Sequence, residues 1–116
     1  MRIITLNANG IRSAARKGFF DWMATQDADV VCIQETKAQR DQLDDPVFHP
    51  KGYHCHYFDA EKKGYSGVAV YSRVKPQDVI VGYGSREFDA EGRYLEVQLK
   101  GVSIVSVYLP SGSSSE

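Results

Sequence analysis

The stretch Asp29-Val30-Val31-Cys32-Ile33-Gln34-Glu35-Thr36-Lys37 constrains this chain more than any other. Four apolar residues in a row after a polar start read as a short strand buried on both faces, as inside an α/β sheet. Glu35 stands where that strand runs out, so a carboxylate is delivered to the rim of a sheet. Open α/β sheets bind ligands beyond the carboxyl ends of their strands. A carboxylate on a rigid strand end also suits a hard cation such as Mg²⁺. Taken alone, Glu35 reads first as a solvated strand end, because charged residues are mostly exposed.

The rest of the chain supplies neighbours for that strand. Residues 3–6 are a short apolar run closed by Asn7-Ala8-Asn9-Gly10, which is turn chemistry. Residues 13–26 place Ala15, Phe19, Trp22 and Met23 at helical spacing, with Ser13 at the N-cap and Gly18 weakening the interior. Strand, helix, strand predicts a parallel pair with a right-handed crossover. Residues 36–50 are polar, and Pro46 and Pro50 leave room for at most a short helix over 39–43.

The period then changes. Residues 53–58, 67–72, 78–81, 93–99 and 102–109 are five β-rich runs, with Lys100-Gly101 a hairpin turn between the last two. With no helix between them they read as a meander joined to the initial βαβ unit. The expected fold is α/β, a mixed and mostly antiparallel sheet with one flanking helix. That helix covers one face only, whereas such sheets need cover on both. Residues 110–116 have loop composition and no apolar side chain. The chain reads as half of a larger unit.

Its 116 residues suffice for one domain and not for two. A net charge of -1 gives no global basic field, so any polyanion must be met by a local patch. Two cysteines, Cys32 and Cys55, make no disulfide framework. The start lacks the apolar region of a signal peptide, and no run approaches the ~20 apolar residues of a membrane span, so a cytoplasmic, reducing location is expected.

Asn7 and Asn9 close the first strand. If the two strands are parallel neighbours, their ends share one rim with Glu35, and amide and carboxylate oxygens there make a partial Mg²⁺ site. From spacing alone, turn formation is the favoured reading of both asparagines. Arg12, Arg16 and Lys17 follow the same rim, and Lys37 follows Glu35. Lys62-Lys63-Gly64-Tyr65-Ser66-Gly67 is a basic, glycine-rich loop carrying an aromatic; it suits either phosphate and sugar contacts or a solvated turn. Arg73 and Lys75 read as surface charges at a strand end. His54 and His56 lie on one face of a strand, but no further cluster offers the remaining ligands of a zinc site. Tyr108, ending the last strand, reads from spacing alone as core or rim packing. There is no Ser/His/Asp arrangement, Walker loop or dinucleotide fingerprint.

Four stretches together carry more. Leu6-Asn7-Ala8-Asn9-Gly10-Ile11-Arg12, Ile33-Gln34-Glu35-Thr36-Lys37, Gly64-Tyr65-Ser66-Gly67-Val68-Ala69-Val70-Tyr71-Ser72-Arg73 and Val107-Tyr108-Leu109-Pro110, with Glu91-Gly92-Arg93 before a strand, closely resemble the N-terminal half of the exonuclease III family of apurinic/apyrimidinic (AP) endonucleases. The resemblance covers essentially the whole chain. It implies that residues 1–116 are half of a four-layer α/β sandwich, with the second sheet expected from a missing C-terminal half. It implies Mg²⁺-dependent (or Mn²⁺-dependent) hydrolysis of the phosphodiester 5′ to an abasic site in double-stranded DNA, with 3′-to-5′ exonuclease and 3′-end-cleaning activity. Carried over by position, Glu35 is a metal ligand, Asn7 helps hold the metal site, and Tyr108 is the active-site tyrosine. Arg12, Lys17, Lys37, Tyr65 and Ser66 line the DNA path. Asn9 stands where some relatives carry aspartate.

One departure matters. The family's second half carries a Gly-Asp-X-Asn block and a Ser-Asp-His block, and this chain contains neither. It therefore offers no general base for an attacking water, and catalysis is expected only with the complementary half. The alternatives are a phosphodiesterase or phosphatase resembling deoxyribonuclease I or the inositol-phosphate phosphatases, and a non-catalytic chain that binds nucleic acid or a partner.

Overall fold

The computed structural model describes residues 1–82 and 84–109. Strands β1 (Ile3–Asn7) and β2 (Val30–Gln34) pair in parallel, from Ile3↔Val30 to Asn7↔Gln34, as strand-helix-strand order requires. Strands β3 (His54–Phe58) and β4 (Val68–Ser72) complete a four-stranded sheet in the order β1-β2-β4-β3, with β4 antiparallel to both neighbours. Strands β5 (Asp78–Val81), β6 (Tyr94–Leu99) and β7 (Val102–Val107) form a separate antiparallel sheet in chain order. Gly101, at φ 80°, makes the β6–β7 hairpin turn.

The single helix expected over residues 13–26 is two: α1 (Ile11–Arg16) and α2 (Phe19–Ala24). Gly18 divides them at φ 92°, a left-handed conformation that ends one helix and starts the next. The N-cap of α1 is Gly10 rather than Ser13. The helix expected near 39–43 is one 3₁₀ turn, Arg40–Gln42, held by reciprocal bonds between Gln39 and Gln42. A four-residue helix, α3 (Arg86–Asp89), interrupts the run of strands and is capped by the Ser85 hydroxyl. The loop expected over 110–116 lies outside the described residues. Among the described residues, no helix is long and apolar enough to cross a membrane.

Two cores follow from strand alternation. Val31 and Ile33 of β2, with Ala69 and Tyr71 of β4, face Ile11, Phe19, Phe20 and Met23 of the helices. Trp22, on the outer side of α2, is half exposed. Val30, Cys32, Val68 and Val70 point the other way and pack on Leu95, Val97, Leu99 and Ile104 of the second sheet. This corrects the expectation of one sheet with a bare face awaiting a missing half. The chain's own meander folds back over that face, because each fully buried Val or Leu is stabilised by about 1.5–3 kcal/mol. Exposed apolar side chains occur on the edge strands, Ile3 and Leu6 on β1, Ile80 and Val81 on β5, and Val102, Val105 and Val107 on β7, and singly elsewhere, as at Trp22, Val47 and Val74.

Candidate active site

β1, β2 and β7 end at the same edge of the sandwich, and each end carries a candidate residue. The chain leaves β2 through Glu35, at φ 57°, and Lys37, at φ 52°, while Asn9 holds φ 46° in the facing loop. Left-handed residues other than glycine are sterically costly and gather at functional sites when their surroundings hold them. Here the holding is backbone lacing. Gly10 N–H donates to Glu35 O at 2.8 Å and Ile11 N–H to Thr36 O at 2.9 Å on one side. On the other, Thr36 N–H donates to Gly67 O at 3.1 Å and Lys37 N–H to Ser66 O at 2.7 Å. Gly67 is required at this seam: a Cβ there would lie 2.1 Å from Thr36 Oγ1.

The side chains converge on Glu35. Asn7 Nδ2 donates to Glu35 Oε1 at 2.7 Å, and Asn7 Oδ1 accepts from Asn9 N–H at 3.0 Å. Since a backbone N–H needs an acceptor, the second bond fixes which end of the amide faces the carboxylate. Lys37 Nζ donates to Asn9 Oδ1 at 2.6 Å and lies 3.7 Å from Glu35 Oε2. Tyr108 stands at the end of β7 in the second sheet, near enough for the Glu35 carboxylate to act on its phenol. Burial first, and the Glu35 charge next, push its phenol up, against the opposing Arg93 guanidinium.

A basic arc flanks this cluster. Arg12 donates to Lys37 O at 3.5 Å, and Arg12, Arg16 and Lys37 line a hollow of about 370 Å³ with Gly64. Lys17 lies on the other side of α1, in a hollow of about 320 Å³ that it shares with Asn7 and Asn9. Tyr65 is exposed, with Lys62 Nζ 5.5 Å from its ring centre. Ser66, expected beside it on the DNA path, is buried and turns its hydroxyl to Gly92 O at 3.4 Å. The loop therefore presents Tyr65 and not the Ser66 side chain. His54 and His56 sit apart on β3.

Arg93 is the residue that the sequence did not single out beyond its Glu91-Gly92-Arg93 context. Its guanidinium donates to Tyr65 Oη at 2.8 Å, pairs with the Glu91 carboxylate, and lies 6.0 Å from the Tyr108 ring centre. It braces the Tyr65 loop against the end of β7. Gly92 permits this approach, since a Cβ there would lie 2.5 Å from Ala60 N.

Among the described residues, no three His, Cys, Asp or Glu side chains gather in a way that could hold a metal. The expected amide ligand is turned away: Asn7 gives its nitrogen to Glu35 and its oxygen to Asn9 N–H, so it orients the carboxylate and does not itself face a metal. The Glu35 carboxylate is a hard donor that fits Mg²⁺ or Mn²⁺, which retain several waters and take few protein ligands, and not tetrahedral zinc.

These features define a two-sheet α/β sandwich whose candidate site lies where strand ends of the two packed sheets meet a basic arc. The chain belongs to the endonuclease/exonuclease/phosphatase family, which it matches over residues 4–115. It is 42% identical over 112 residues to the exodeoxyribonuclease of Bacillus subtilis, covering 96% of this chain and 43% of that protein. It is 34% identical over 119 residues to a DNA-(apurinic or apyrimidinic site) endonuclease of Dictyostelium discoideum, covering 98% of this chain and 31% of that one. The structure of an AP endonuclease from Archaeoglobus fulgidus superposes with a TM-score of 0.79 at 32% identity, over 92% of this chain and 40% of that one. The chain thus spans less than half the length of these relatives.

Proposed function

We propose that this chain is one half of a DNA repair nuclease that hydrolyses the phosphodiester 5′ to abasic sites and trims 3′ ends, and that it is inactive without its complementary half. One observation carries the reading: Asn7, Glu35 and Tyr108, from three strands and two sheets, meet inside an arc of Arg12, Lys17 and Lys37.

In this reading Glu35 ligates a divalent cation, Mg²⁺ or Mn²⁺, with Asn7 holding the carboxylate in place. When bound, such an ion supplies charge stabilisation to the phosphoryl oxygens. Tyr108, its phenol pushed up and so kept protonated, donates a hydrogen bond to the phosphoryl group. Arg12, Lys17 and Lys37 fix the strand through its phosphates, and Tyr65 lies against sugar or base. The water-activating base comes from the complementary half. That half docks on the β1 and β7 edges, whose exposed apolar side chains mark an uncovered border. Residues 1–116 are then half of one domain and not a domain of their own. The two free cysteines fit a reducing, cytoplasmic setting.

The test is reconstitution. The chain is mixed with a C-terminal half of a family nuclease and given an abasic duplex with Mg²⁺. Cleavage that needs both halves and the ion supports the reading. No cleavage, or hydrolysis of inositol phosphates in its place, overturns it.

A further inference from the structure

Gln34 ends β2 on the face that carries Val30 and Cys32, so its side chain enters the seam between the two sheets. It meets a polar patch at the site end of an otherwise apolar core. Gln34 Nε2 donates to Thr5 Oγ1 and to Ser106 Oγ, each at 3.1 Å, and Thr5 Oγ1 lies 3.3 Å from Gln34 Oε1. Ser106, fully buried, donates in turn to Ile33 O at 3.0 Å. Each partner sits just ahead of a candidate site residue. Thr5 precedes Asn7 by two positions on β1, Gln34 immediately precedes Glu35, and Ser106 precedes Tyr108 by two.

No backbone ladder joins β7 to β1 or β2, because they belong to different sheets. Away from these bonds, the two sheets meet through apolar contact, which is non-directional and tolerates small slides. Hydrogen bonds fix distance and angle. We infer that Gln34, with Thr5 and Ser106, is a positioning unit that sets the place of Tyr108 relative to Glu35 and Asn7. A site of this kind tolerates displacements of only about 0.5 Å, which an apolar seam alone does not guarantee. The catalytic consequence rests on the function proposed above; the clamp itself does not.

The experiment uses the full protein that carries this chain. Two amides report on the strand ends: Ala8 N–H, bonded to Gln34 O at 2.9 Å, and Tyr108 N–H, bonded to Arg93 O at 2.9 Å. In Gln34→Met, exchange at the Tyr108 amide should quicken about tenfold while the Val70 amide in mid-β4 keeps its rate, as expected for a local opening after one or two bonds are lost. Ser106→Ala, a milder change, should do the same, and the double variant should add little. Leu99→Ala, at the far end of the same seam, should weaken the whole protein without altering the Tyr108-to-Val70 ratio.

On an abasic duplex, Gln34→Met should lower kcat about tenfold with KM unchanged, and most of that loss should vanish in a Tyr108→Phe background, since residues acting as a unit are not additive. An unchanged exchange ratio in both Gln34→Met and Ser106→Ala overturns the clamp. A wild-type protein that fails to cleave overturns the proposed function alone, because the exchange ratio still decides on the clamp.

Discussion

Asn7 and Glu35 meet at 2.7 Å across the ends of two parallel strands, and the Asn7 amide is used at both ends, its oxygen by Asn9 N–H. A carboxylate gripped in this way has a fixed direction, which metal-ligating carboxylates need. In the reconstituted pair, if it has the proposed activity, Asn7→Ala should therefore lower turnover about 10- to 100-fold, as loss of an orienting partner does elsewhere. Glu35→Gln should cost at least as much. Because the Asn7–Glu35 bond is solvent-exposed, urea unfolding should register about 1 kcal/mol or less. Full turnover in Glu35→Gln would remove that carboxylate from the chemistry.

Gly67 tests the seam behind Glu35. It holds φ 89°, and a Cβ would strike the buried Thr36 hydroxyl. Gly67→Ala combines backbone strain with a clash and should cost on the order of 3 kcal/mol. Gly64→Ala, at φ 72° with open space around it, should cost about 1 kcal/mol from backbone strain alone. Equal urea midpoints for the two variants would show that the 35–37 turn does not pack on the 66–67 loop.

His56 gives a pH signature. Burial chiefly, then the charges of His54 and Arg40, hold its imidazole below the ordinary histidine value of 6.5, and its Nε2 has no hydrogen-bond partner among the described residues. The unfolded chain thus takes up a proton that the folded chain resists. The contribution of His56 is complete above pH about 6.5 and is lost as pH falls through the depressed folded value. His56→Gln should flatten the acid limb of stability, followed by urea midpoints below neutrality. An unchanged slope would refute the assignment.

Cys32 reports on the sheet-on-sheet packing. Burial raises its thiol, and that of Cys55, to about 11. At pH 8 each should carry a thiolate fraction about a hundredfold below that of an ordinary cysteine, and the thiolate is the nucleophile. Iodoacetamide should label neither quickly in the native protein and both in urea. Rapid native labelling of Cys32 would mean that the second sheet does not cover β2.

The strands were legible because their signals are local. Continuous apolar residues in β2 announced burial on both faces, and turn residues marked off the five β-rich runs that follow. The rim was legible in the same way: Asn7, Glu35 and Tyr108 each end an apolar run, and a parallel β1–β2 pair puts the first two side by side. Gly18 was visible as a weak point in a helix, but whether glycine bends or breaks a helix depends on what the flanking turns pack against.

Sheet membership is the larger matter. The sequence by itself determined seven short strands, their rough bounds and the polar groups at their ends, since these follow from side-chain period and turn chemistry. It did not determine that β5 to β7 leave the first sheet and cover it, because pairing is settled by hydrogen bonds and apolar contacts between residues far apart in the chain. Only the tertiary structure decided that Tyr108 comes to Glu35, that Arg93 braces Tyr65 against Tyr108, and that Gln34 ties Thr5 to Ser106. Each of these is a meeting of two surfaces, and the composition of either one alone does not specify its partner.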